Sequence, residues 1–115
     1  MFATAALVTW TSAQASPFRD LRLPFTQPDG TRIEITGSGD EFYAVFETLD
    51  GFTVVFDQNL KAYCLAQTSI DGQLVSTGKQ VHLADPAALG LVKHLRASPT
   101  ARQQQVRKSR QRWES

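Results

Sequence analysis

A single cysteine, Cys64, stands among the 115 residues, so no disulfide can close within the chain and packing must hold the fold. Its neighbours Ala62-Tyr63 and Leu65-Ala66 are apolar, which places the thiol in a core rather than at a reactive or zinc-binding position. Histidine is almost as scarce. His82 and His94 are the only two, twelve positions apart, and neither is followed by the glutamate of a His-Glu-x-x-His helix. No glycine-rich phosphate loop is present, because Gly37-Ser38-Gly39-Asp40 lacks the following Lys and Ser or Thr, and Asp40 and Glu41 would repel phosphate. The acids Asp40, Glu41, Glu47 and Asp50 show neither two carboxylates opposed across a cleft nor the alternating ligands and closing glutamate of a calcium loop. Nor does any stretch reach the ~20 consecutive apolar residues of a membrane span.

Charge is unevenly shared. Up to Val92 the bases are Arg19, Arg22, Arg32, Lys61 and Lys79, against ten acids from Asp20 to Asp85. From Lys93 onward the bases are Lys93, Arg96, Arg102, Arg107, Lys108, Arg110 and Arg112, and Glu114 is the single acid. An acidic body and a basic tail should attract each other. The tail, with Trp113, has the residue types that neutralise phosphates and stack bases, but the acidic body opposes a nucleic-acid partner. The expectation is a solvated linker that trypsin-like proteases can cut.

Met1 to Trp10 is mostly apolar, and Ala13 and Ala15 fit a small-x-small cleavage site. Residues 1–15 therefore read as a signal peptide of a secreted or extracytoplasmic product, although no Lys or Arg precedes the apolar run. The other reading is an apolar strand or short helix packed on the body.

What is abundant is strand and turn signal. Gly37 to Phe56 holds two runs, Phe42–Phe46 and Phe52–Phe56, joined through Glu47-Thr48-Leu49-Asp50-Gly51, a hairpin signature. Before it, Leu21, Leu23 and Phe25 alternate with Arg22, Pro24 and Thr26, and Pro24 assigns that strand to a sheet edge. Pro28-Asp29-Gly30 turns the chain into Thr31–Thr36, where Ile33 and Ile35 share a face. After a polar turn at residues 57–61, Ala62–Thr68 forms a strand, Asp71-Gly72 turns, and Gln73–Thr77 forms another that ends at Gly78. The fold class is mainly β: a small antiparallel meander of five to six strands over 17–83, with a short C-terminal helical segment over 84–98. Asp85-Pro86 is that segment's start signal. Residues 99–115 form a polar basic tail, helical or disordered.

The order Pro24-Phe25-Thr26-Gln27-Pro28-Asp29-Gly30-Thr31, Gly39-Asp40-Glu41-Phe42-Tyr43, Glu47-Thr48-Leu49-Asp50-Gly51-Phe52-Thr53-Val54-Val55, Asp71-Gly72, then Asp85-Pro86 with Gly90-Leu91, carries a resemblance. Over residues 17–98 the chain resembles the region that precedes the catalytic domain in immune-inhibitor-A-like secreted zinc metallopeptidases. That resemblance implies a β-rich, non-catalytic pro-region, a folding aid or inhibitor whose partner is a peptidase domain in cis or in trans. Zinc would belong to that domain, and this chain would carry no cofactor, bind no nucleic acid and make no stable membrane span. The chain departs from that pattern in carrying a basic tail where such a precursor runs on to its catalytic domain. A free-standing secreted β-sheet protein-binding module is the other reading kept open. The turn residues Pro28, Asp29, Gly30, Gly39, Asp40, Asp50 and Gly51 are those on which the fold depends. Phe42, Tyr43, Phe46 and Phe52 are candidates for partner contact, in competition with a place in the core.

Overall fold

The computed structural model describes residues 17–40 and 42–114. The signal-like stretch 1–15, Glu41 and the Trp113 side chain lie outside the described residues. Six strands, β1 (Phe18–Thr26), β2 (Arg32–Gly39), β3 (Ala44–Thr48), β4 (Thr53–Asp57), β5 (Ala62–Thr68) and β6 (Leu74–Gln80), pair antiparallel in sequence order. One helix, α1 (Pro99–Glu114), follows them.

The meander is made by a repeated turn. Pro28-Asp29-Gly30, Leu49-Asp50-Gly51 and Ile70-Asp71-Gly72 each connect two strands with the same pair of backbone bonds. The glycine amide donates to the residue before the loop (Gly30 to Gln27, Gly51 to Thr48, Gly72 to Ser69), and that residue's own amide donates across the hairpin. The three glycines have φ of 93°, 97° and 82°. This is the three-residue hairpin loop in which a left-handed residue forms a bulge, and a side chain there would be strained.

Asp40 shapes the β2–β3 connection differently. Its Oδ1 accepts from the amides of Phe42 (2.8 Å) and Tyr43 (3.0 Å), which holds both aromatics in the loop. Strand β3 therefore begins at Ala44, two residues later than the run Phe42–Phe46 predicts. Asp57 repeats the device before β5, accepting from Asn59 and Leu60.

Register and the alternation of side chains place Leu23, Phe25, Ile33, Ile35, Phe46, Val54, Phe56, Tyr63 and Leu65 on one face of the sheet. Ile35, Val54 and Leu65 are fully buried at its centre. Beside them the Tyr63 ring meets Phe25 (4.8 Å) and Phe56 (5.3 Å) edge-on, a favoured aromatic geometry. The opposite face carries Val45, Glu47, Thr53, Val55, Ala62, Cys64 and Ala66. Pro24 lies on β1, the outermost strand, as its missing donor requires.

Two sequence expectations are corrected. Strand β6 does not stop at Gly78 but runs on to Gln80, because Gly78 takes φ 76° within an irregular stretch of the β5–β6 pairing. The Ser76 and Thr77 hydroxyls accept from the Gly78 and Lys79 amides there. Residues 84–98 contain no α-helix. Asp85 does accept from the Ala87 amide, but the turn it starts ends at Gly90 (φ 73°), and Leu91 leaves it to pack on the core. The helix begins instead at Ser98-Pro99: Ser98 Oγ accepts from the Ala101 amide, and Pro99 opens the first turn.

The segment 81–98 is a strap that wraps the sheet. Val81, Ala84 and Leu91 cover the aromatic face. At His94, where φ is 60°, the chain turns around the end of the β3–β4 hairpin, its amide donating to the Gly51 carbonyl (2.8 Å). It then reaches the other face, where the Leu95 carbonyl accepts from Thr53 Oγ (2.7 Å). The Ser98 amide closes the strap on the Gly72 carbonyl (2.9 Å). Helix α1 then lies over that second face with Ala101 and Ser109 buried.

Candidate functional site

Glu47 is the focus of the strap's polar contacts. It projects from β3 onto the second face, and its Oε2 receives Nδ1 of His94 and the guanidinium of Arg96, each at 2.9 Å. Burial pushes the Glu47 carboxyl up, but hydrogen bonds from His94 and Arg96 and their charges outweigh it and hold the group below its ordinary value. Arg96 also donates to the Leu95 carbonyl. No local motif marks these three residues as a group. The one sequence signal is the opposition of an acidic body to bases beginning at Lys93, and Arg96 is where that attraction closes.

The second histidine makes a separate lock. His82 Nε2 lies 2.8 Å from Asp29 Oδ2 in the first Asp-Gly turn. The ionised Asp29 carboxylate can only accept, so Nε2 donates, while Nδ1 is buried without a hydrogen-bond partner among the described residues. The bond from His82, with that from the Thr31 amide, lowers the Asp29 carboxyl to about 2. Asp29 thus both shapes its turn and ties down the start of the strap.

Neither histidine ring is hydrogen-bonded to a serine, threonine or cysteine among the described residues. The described residues also contain no group of three or more His, Cys, Asp or Glu placed to hold a metal ion. Cys64 is fully buried on β5, and burial pushes its thiol up, with a Ser76 hydrogen bond opposing and the Asp57 charge adding to the rise. A protonated, enclosed thiol cannot lend a thiolate to a partner.

The motif residues serve as turn makers. Pro28, Asp29, Gly30, Asp50 and Gly51 occupy two of the repeated hairpin loops, and Gly39 and Asp40 lead into the β2–β3 connection. A Cβ on Gly39 would run into the Tyr43 carbonyl and lie 2.6 Å from Ala44 Cα.

The four aromatics divide. Phe46 and Phe52 pack against the buried cluster, so the core claims them. Phe52 also has the Lys93 ammonium 5.8 Å from its ring centre. Phe42 and Tyr43 stay half-buried beside α1, where the Arg110 guanidinium sits 5.4 Å from the Phe42 ring centre. They flank a cleft of about 340 Å³ between α1 and the sheet, whose walls include Val55, Leu74, Ala97 and Ala101.

Strands β1 and β6 end the sheet, and neither is a flat edge: β1 carries Pro24 and a register break beside Asp20 (φ 50°), and β6 carries the irregularity at Gly78. No described helix is long and apolar enough to cross a membrane. Comparison with protein-family models, with curated proteins and with solved structures finds no match to this chain.

Proposed function

We propose that this chain is a non-catalytic pro-region of the immune-inhibitor-A-like metallopeptidase kind, a folding aid or inhibitor of a zinc peptidase domain supplied in cis or in trans. One observation carries the reading. The resemblance spans residues 17–98, and the strap closes on the sheet at Ser98, so the motifs that resemble the family fall within one closed structural unit. Helix α1 follows as a basic element laid over the second face. The motif residues support the reading through their roles, since they set turns rather than chemistry. On this reading the product is exported, the zinc is the partner's, and the peptidase is covered by a preformed surface.

The test adds the purified chain to an isolated peptidase domain of this class. Inhibition that saturates at one chain per enzyme, or a raised yield of active enzyme on refolding, is the expected outcome. If neither activity nor refolding yield changes at micromolar excess, the reading fails and the free-standing binding module takes its place.

A further inference from the structure

Helix α1 and the β2–β3 loop form a groove on the outer side of the molecule, lined by Tyr43, Pro99, Arg102, Gln103, Val106, Arg107 and Arg110, with a volume of about 710 Å³. Its size is that of ordinary ligand-binding clefts. Positions 99, 102, 103, 106 and 110 recur at helical spacing, so one face of α1 presents a stripe with Val106 between two arginines.

None of Arg102, Arg107 and Arg110 forms an ion pair with a carboxylate among the described residues; the four ion pairs found there lie elsewhere. Arg107 and Arg110 are three positions apart, close enough to repel along the helix. Among the described residues, then, the helix gathers these three cations around an apolar centre with no carboxylate paired to them. Arg110 is held by the Phe42 ring, which orients the guanidinium without neutralising it.

We propose that this groove docks an extended acidic segment of a partner protein. The helix sets the segment's spacing. Arg102 and Arg110 are eight residues apart, which at a 1.5 Å rise is about 12 Å along the helix. An extended chain advances about 3.3 Å per residue, so residues i and i+4 are about 13 Å apart and share a face with i+2. Carboxylates at i and i+4 therefore meet the two guanidinium groups while an apolar residue at i+2 covers Val106 and Tyr43. Arginine's planar fork suits carboxylates held in this way. A nucleic acid is the poorer occupant, because beyond the groove its phosphates would meet the body, where ten acids face five bases up to Val92. The proposal is independent of the peptidase reading.

The test uses the full chain and fluorescence anisotropy with a fluorescein-labelled peptide Gly-Glu-Thr-Leu-Thr-Glu-Gly. Saturable binding is expected, weakened about tenfold or more by Arg102→Glu and by Arg110→Glu. Lys108→Glu makes the same charge change off the groove, and should stay within about twofold if the groove is the site. Circular dichroism of each variant checks that α1 is intact. A peptide with its glutamates three residues apart should bind at least about fivefold more weakly, because one carboxylate then faces away. Equal weakening by Lys108→Glu, indifference to glutamate spacing, tighter binding of an oligothymidylate probe, or no saturation by about 1 mM would each overturn the proposal.

Discussion

The amide of His94 donates to the carbonyl of Gly51 at 2.8 Å, joining the strap to the tip of the β3–β4 hairpin across 43 positions of sequence (94 minus 51). Both residues have positive φ, 60° at His94 and 97° at Gly51, so two left-handed turns meet there. A Cβ built on Gly51 would lie 3.0 Å from the His94 ring. The hairpin tip and the strap must fit each other as well as themselves.

Replacing Gly51 with valine imposes a β-branched side chain on that left-handed residue and pushes it against His94. The expected cost is about 1 kcal/mol or more, a fall in melting temperature of about 4–8 °C for a domain of this size. Thermal unfolding of the purified variant checks this, and an unchanged midpoint would remove the turn assignment.

Glu47→Gln keeps the shape of the side chain and removes the charge that His94 and Arg96 share. The expected loss is about 1–3 kcal/mol, because a partly buried acceptor of charge-assisted bonds is weakened in place. The loss should be concentrated in the strap. Limited trypsin digestion should cut after Lys93 and Arg96 faster in the variant, while the strands keep their far-ultraviolet signature.

Asp29 supplies a pH dependence whose sign is fixed. Its carboxyl ionises near 3.8 in the unfolded chain and about 2 when bonded to His82 and Thr31. A depressed carboxyl contributes stability that is complete above the unfolded value and is lost as the pH falls through the folded one. The stability difference between the natural protein and Asp29→Asn should therefore be level above about pH 5, narrow below about pH 4, and vanish by about pH 1. Denaturant midpoints across that range measure it, and a difference that widens with acid would reverse the assignment.

Local chemistry made much of the sheet legible in the sequence. Ala62–Thr68 is a strand over its full expected range, and the Asp-Gly turns fall where the glycines require them. Two-residue alternation and left-handed backbone are properties of a few neighbouring residues, so the sequence displays them directly. The start of β3 was less readable, because aromatic content favours a strand at Phe42 while one Asp40 oxygen holds two amides outside it. The strap was hidden for a different reason. Asp85-Pro86 is a true start signal, but whether a turn continues depends on Gly90 and on the space Leu91 finds on a sheet formed by residues far behind it. Likewise Glu47, His94 and Arg96 share no motif, and His82 lies 53 positions from Asp29. Only the folded sheet brings them within reach.

The sequential strand order has a kinetic meaning. Every strand pairs with its chain neighbour, so each step of sheet growth closes a loop of a few residues and loses little chain entropy. The strap is the exception, since His94 and Ser98 bond to turns that must already exist. Its docking surface is the finished meander. The order of events follows from the topology: hairpins assemble in succession, and the wrap that covers both faces of the sheet settles last, as the step that turns a row of strands into a closed body.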